Sequence, residues 1–226
     1  YAMAREGGEV TPAIEEAIFS GIPVNVTLLF SCEQYLAAAE AFLRGIERRI
    51  EAGLKPEVGS VASLFVSRWD AAVAPRVPEA LHNQLGVAIG RRTYSAYRKL
   101  LASPRWQRVF NEGARPQRLL WASTGTKDPD ASDVIYVESL AAPFTVNTMP
   151  EATLRALADH GSVGALVPTD GGDAKQVLAR FTEAGVDLDA LAEQLQRDGA
   201  ASFVKSWHSL LEGIASRSAE LKAAST

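Results

Sequence analysis

Polar side chains set at regular intervals inside apolar runs are the first chemistry this sequence offers. Asn25 and Thr27 interrupt IPVNVTLLF, residues 22–30. Two positions apart in a strand, they share a face. The amide of Asn25 can hold a ligand hydroxyl, and the hydroxyl of Thr27 can position a water. Both residues equally suit satisfied polar groups at a strand end. The run VASLFV, residues 61–66, carries Ser63 and Phe65 on one face, and Arg68 follows just beyond it. A guanidinium grips phosphate oxygens with two parallel N–H groups. The competing reading of Arg68 is a surface ion pair with Asp70. Ser123 ends QRLLWAS, residues 117–123, and Lys127 lies in the turn STGTKDP. Lys127 either adds a cation near a bound anion or is simply solvated.

Other constellations carry less. His82, His160 and His208 lack metal-ligand spacing. His160 stands beside Gly161 at a helix end, where a cation is welcome. Asp170-Gly171-Gly172-Asp173 resembles a turn entering a helix and fails the calcium-loop spacing. Asp128, Asp130 and Asp133 fit a polar loop. No Walker or Rossmann glycine pattern occurs.

These residues need a frame to hold them. TPAIEEAIFSG, residues 11–21, reads as a helix with Thr11 as cap and Gly21 as stop. The strand 22–30 follows, and Ser31-Cys32-Glu33-Gln34 is a capping box that opens the next helix. Leu36, Ala39, Leu43, Ile46 and Ile50 give that helix an apolar face, and Gly53 and Pro56 stop it. A second strand covers 61–66. Residues 78–102 read as one long helix with Leu81, Leu85, Ala88, Ile89 and Tyr94 inward, and Pro104 to Phe110 as a shorter one. Residues 117–123 and 144–148 read as third and fourth strands, with Trp121 in the core. A helix runs from Pro150 to Gly161. The tail reads as helices at 173–184, 187–197 and 201–222, broken at Gly185 and Gly199. YAMAREGGEV, residues 1–10, reads as polar and disordered, or helical through AMARE. Strands alternating with helices predict a parallel sheet of βαβ units, and four strands are half of an eight-stranded barrel.

Composition narrows the class. The chain has 226 residues, a net charge of −4 and 47% apolar residues. This is one domain, slightly short of the ~250 residues typical of a closed α/β barrel. There is no basic footprint for nucleic acid and no apolar window long enough for a membrane helix. Cys32 is the single cysteine, which fits a reducing compartment. The first residue is Tyr1, so the natural N-terminus is expected to be missing or processed.

Five segments in order resemble signatures of the longer bacterial transaldolases. They are NVTLLFS (25–31), SVASLFVSRWD (60–70), RPQRLLWASTGTKDP (115–129), SDVIYVESL (132–140) and TVNTMPEATL (145–154). Together they cover roughly residues 11 to 161, and the helical tail is similar less specifically. The resemblance implies a (β/α)8 barrel, TIM type, of which about strands five to eight are present, followed by C-terminal helices from 173. It implies a cytoplasmic enzyme of the pentose phosphate pathway that moves a dihydroxyacetone unit between sugar phosphates. The chemistry runs through a Schiff base on a barrel lysine, with carboxylates and a water moving protons and no metal or organic cofactor. By the same resemblance Asn25 and Thr27 stand beside the Schiff base. Arg68, Ser63 and Ser123 hold phosphate, and Phe65 lines the pocket or packs in the core. The arginine that shorter transaldolases carry near the turn of Lys127 is missing here.

The sequence departs from the family at the nucleophile. Counting back without gaps from PAIEEAI at 12–18, the lysine's place falls on Met3, and a thioether forms no imine. The six lysines are Lys55, Lys99, Lys127, Lys175, Lys205 and Lys222. Of these only Lys127 lies near a strand end, in a turn poorly suited to a neutral amine. The family's acid–base carboxylates belong to strands further upstream. Substrate-holding parts are therefore expected without covalent ones, as in a fragment, a product of an altered frame or gene start, or a short non-catalytic paralogue that binds sugar phosphates or assembles. Open barrel edges would favour self-association.

Overall fold

The computed structural model describes residues 2–3 and 10–224, with side chains for 11–218. Five strands form one parallel sheet in chain order: β1 (Ala2–Met3), β2 (Val24–Leu29), β3 (Ser60–Phe65), β4 (Arg118–Ala122) and β5 (Val146–Asn147). The helices are α1 (Val10–Phe19), α2 (Cys32–Glu51), α3 (Ser67–Val73), α4 (Leu85–Leu101), α5 (Pro104–Asn111), α6 (Ile135–Ser139), α7 (Glu151–His160), α8 (Ala174–Glu183) and α9 (Leu188–Ala224). No helix among the described residues is long and apolar enough to cross a membrane.

One face of β2, β3 and β4 is sealed against helices. Val26, Ala62, Leu64 and Leu119 are fully buried, and Trp121 nearly so. Burying a side chain the size of Val26 or Leu64 contributes roughly 1.5–3 kcal/mol. The capping box that opens α2 forms as its sequence requires: Gln34 N–H donates to Ser31 Oγ at 3.1 Å, and Phe30 and Ser31 N–H donate to Gln34 Oε1. α1 crosses α2 closely at Gly45, where a Cβ would stand 2.7 Å from Ile18 Cβ.

Four expectations from sequence change. Residues 2 and 3 pair with β2 as a strand rather than forming a helix, giving a fifth strand; the disorder expected for 4–9 lies outside the described residues. The helix expected from 78 starts at Leu85, after two short 3-10 turns at 74–76 and 79–81 and a left-handed Asn83 with φ 59°. The tail does not break at Gly199: α9 runs through it without interruption, and the glycine faces the side chains of Leu28 and Arg68, where a Cβ would stand 2.9 Å from Leu28 Cδ2. Leu36 is 41% exposed, since α2 buries the face of Tyr35, Ala38, Phe42 and Ile46 instead.

Candidate functional site

Register places the candidate residues in rows across the face of the sheet opposite Val26, Ala62 and Leu119. Asn25 pairs with Val61, Ser63 with Leu120 and Phe65 with Ala122, while Thr27 pairs with Met3 on its other side. Ser63 Oγ donates to Asn25 Oδ1 at 2.7 Å. Asn25 is half-buried, while Ser63 and Thr27 are buried.

β2 carries one residue more than β3. Val26 pairs with Ala62 and Leu29 with Leu64, which leaves Thr27 and Leu28 opposite a single position. Leu28 takes φ 60° to accommodate the bulge, and Ser123, at the end of β4, takes φ 56°. Left-handed backbone at non-glycine residues costs on the order of 1–3 kcal/mol, and such strain gathers at functional sites. Each strained residue is held from outside its own strand. Leu28 C=O accepts from Gln196 Nε2 of α9 at 2.9 Å. The Oγ atoms of Ser123 and Ser67 are 2.8 Å apart, and Ser67 N–H donates to Ser123 C=O at 3.1 Å.

Arg68 opens over this ground. Its Cζ lies 5.0 Å from the Phe65 ring centroid, and the Phe65 ring meets Phe30 at 5.4 Å. Among the described residues no carboxylate lies within ion-pair distance of Arg68, so the pairing with Asp70 expected as an alternative does not form. Asp70 is 4% exposed and turns the other way. Its two oxygens accept from Leu85 N–H at 2.9 Å and Gly86 N–H at 3.0 Å, and from Tyr136 Oη at 2.8 Å. Burial pushes Asp70 above the usual carboxylate range, and its three donors only partly offset that.

Asn25 and Ser63 are thus brought together, as are Phe65 and Arg68. Ser123 is joined to Ser67, a hydroxyl that sequence reasoning passed over although it stands next to Arg68. Lys127 is set apart from Arg68. It is exposed, in a cleft of about 730 Å³ shared with Ser67, Asp70, His82, Asn83 and Asp128. Asn83 Nδ2 donates to Asp128 at 2.7 Å and holds that carboxyl below its usual range. The α9 residues that close on the strand ends, Gln196 and Gly199, were also missed. Gln196 lies 168 positions from Leu28, and no local pattern reports such a contact. Among the described residues no group of three or more His, Cys, Asp or Glu side chains is placed to hold a metal ion.

Residues 6–214 match the model of the transaldolase/fructose-6-phosphate aldolase family. The chain belongs to that family. It is similar to the transaldolase of Frankia alni, 49% identical over 213 residues, which cover 90% of this chain and 57% of the relative. The Parafrankia transaldolase is 47% identical over 212 residues, 90% of this chain and 58% of the relative. The Thermobifida fusca transaldolase is 45% identical over 216 residues, 92% of this chain and 59% of the relative. The chain thus spans less than two thirds of the length of these transaldolases. The five transaldolase-like segments all fall inside the matched region; Asn25 stands near the start of β2, Thr27 and Ser63 lie within β2 and β3, and Arg68 and Ser123 stand past the ends of β3 and β4.

Proposed function

We propose that this chain forms the phosphate-holding part of a transaldolase-type (β/α)8 barrel. On its own it binds ketose and aldose phosphates without forming an imine. The carrying observation is Arg68, stacked on Phe65 with no carboxylate partner among the described residues. A cation held by an aromatic face and left unpaired suits a dianionic phosphate. Ser63 and Ser123 supply hydroxyls to the same ligand, Asn25 and Thr27 face its carbon chain, and Lys127 lends a more distant positive charge. Sites of this fold form at the C-terminal ends of the strands, where Arg68 and Ser123 both stand. Five parallel strands in chain order support an arc of such a barrel, as about its strands five to eight with β1 ahead of them. Further strands would continue the sheet beyond β1 and β5, and in their absence these edges would favour self-association.

In the complete reaction of the family a dihydroxyacetone unit passes from a ketose phosphate to an aldose phosphate through a Schiff base. No metal or organic cofactor takes part in this reading. Neither does nucleic acid or membrane, and we place the chain in the cytoplasm. One observation favours the second reading, a non-catalytic sugar-phosphate-binding module. Met3, where an ungapped count puts the nucleophile, sits in register beside Thr27, so the position exists in the sheet and carries a thioether.

Titration calorimetry of the full chain with sedoheptulose 7-phosphate tests the cradle. Arg68→Ala should weaken binding by about 10-fold or more, from the loss of charge-assisted hydrogen bonds. Binding that is undetectable in the native chain, or unchanged in the variant, contradicts the proposal. A coupled assay with sedoheptulose 7-phosphate and glyceraldehyde 3-phosphate should show no turnover above buffer. Turnover would refute catalytic incompleteness while leaving the phosphate site intact.

A further inference from the structure

The turn Asp170-Gly171-Gly172-Asp173 does enter a helix, and it also closes a cleft of about 490 Å³ against α2 and α4. Gly171 and Gly172 take φ 87° and 56°, which glycine adopts freely and other residues resist. The bend lays Gly171 on α4, where a Cβ would stand 3.2 Å from Arg91 C=O and 3.4 Å from Ser95 Cβ. α8 starts at the cleft. Its N-cap residue Asp173 caps no N–H with its side chain and gives its carboxylate to Arg91 Nη1 at 2.7 Å. The first turn of α8 holds no acidic residue and carries Lys175 at the positive end of the helix, where a cation is unwelcome. Arg92 and Lys99 of α4 complete the rim. Arg92 pairs with Glu33. Among the described residues neither Lys99 nor Lys175 has an ion-pair partner. Asp170, which accepts from Gly172 N–H at 3.0 Å, is the one acid of the lining. Beneath the rim lies Ser95, 6% exposed, whose Oγ has no hydrogen-bond partner. Buried polar groups without a partner are exceptions. The field of the rim reaches this depth: burial and Glu33 push the Cys32 thiol up, and Arg92 and Lys99 pull it back.

We infer that this cleft is a second anion site, which takes inorganic phosphate or a small phosphate monoester. Ser95 Oγ donates to one ligand oxygen, and Lys99 and Lys175 balance the dianion. The uncapped first turn of α8 turns its N–H groups to the same charge. Cys32, Ala174 and Leu178 line the cleft with apolar surface, room for the carbon of an ester. A small ligand suits this lining better than a chain segment does, because its open features are one unsatisfied hydroxyl and unpaired cations rather than an apolar stripe. α2 and α4 follow the inner strands β2 and β3, whereas further strands would add at the outer positions of β1 and β5. None of Asn25, Ser63, Arg68 and Ser123 lines the cleft, so the inference stands whether or not the strand-end cradle does.

Titration calorimetry of the full chain with inorganic phosphate tests it, in an Arg68→Ala background that silences the cradle. At about 150 mM NaCl, where loose attraction to surface charge is screened, phosphate should still bind. Lys99→Gln with Lys175→Gln should weaken binding by about 10-fold or more, and Ser95→Ala by about 3-fold or more. Both lysines are exposed, so the double variant should keep its circular dichroism. Ser95→Ala should leave the melting temperature of the free chain unchanged or raised, since the hydroxyl it removes is unsatisfied until a ligand arrives. Phenyl phosphate that binds more tightly than phosphate would seat an ester on the apolar lining. Equal affinity would confine the site to phosphate itself, and either result sustains the inference. No phosphate binding in the Arg68→Ala chain overturns it. So does binding that salt abolishes, that survives loss of the two lysines, or that Ser95→Ala leaves untouched. A lowered melting temperature in Ser95→Ala would make that hydroxyl structural and overturn it as well.

Discussion

Asp70 shows how a single side chain can carry an element. α4 begins without a capping side chain of its own. Its first N–H groups are satisfied instead by the carboxylate of Asp70, from a different helix, and that carboxylate is braced in turn by Tyr136. Gly86 is required beside it, since a Cβ there would stand 2.4 Å from Val66 C=O. Asp70→Ala strips an acceptor from two buried N–H groups and a hydroxyl. It should cost on the order of 3 kcal/mol, measured by urea denaturation; a loss near zero would show the cap to be dispensable. Ionisation of Asp70 is harder in the folded chain, so its contribution is largest below the unfolded value of 3.8 and declines as pH rises through the raised folded value. At this scale the sequence left Arg68 two readings, a grip on phosphate or an ion pair with Asp70, and the ion pair does not form. Proximity in sequence suggested Asp70 as partner, while the donors to Asp70 are two backbone N–H groups 15 and 16 residues further on and the Tyr136 hydroxyl 66 residues on.

Among elements, the strands and most helices followed from apolar period and caps. The interruptions within them did not. Gly199 looked like a break because glycine costs about 1 kcal/mol in a helix, yet its use is close approach. A Cβ there would stand 2.9 Å from Leu28 Cδ2 and 3.2 Å from an Arg68 nitrogen. Gly199→Leu should therefore lower stability by about 1–3 kcal/mol through overpacking and push the Arg68 guanidinium off Phe65. Thermal melting reads the first effect, and weakened sugar-phosphate binding reads the second. A variant more stable than the native chain would mean that helix propensity outweighs the contact. The bulge at Leu28 was equally hidden, since NVTLLF alternates no differently from a regular strand. It shows itself only in the register against β3.

For the whole molecule, the helical layer is tied by ion pairs that respond to pH. Arg105 grips Glu47 through both oxygens at 2.8 and 2.7 Å and reaches Glu40 at 2.6 Å, joining α5 to α2. Glu15 of α1 accepts from Arg44 at 2.6 Å and Arg48 at 3.1 Å. The guanidinium bonds hold Glu47 and Glu15 below their ordinary value of 4.5. Their contribution is complete above that value and is lost as pH falls through the depressed folded values. Stability should therefore drop as pH is lowered below about 4.5, and Arg105→Ala should flatten that drop. Because the pairs are partly solvated, the variant should cost only about 1 kcal/mol at neutral pH. An unchanged acid limb in the variant would remove these pairs from the account. The architecture as a whole was legible as alternating strands and helices in a parallel sheet. The β1 strand was not, because two residues within a polar stretch carry no period to read.

The central claim is that this chain holds a sugar phosphate without tethering it. The most direct measurement is intact-mass spectrometry of the full chain after incubation with sedoheptulose 7-phosphate and sodium borohydride, which reduces any imine to a stable amine. The account predicts an unchanged mass, under conditions where calorimetry shows binding that depends on Arg68. A chain heavier by one reduced ketose adduct, mapped by peptide sequencing to Lys127 or any other lysine, would contradict it.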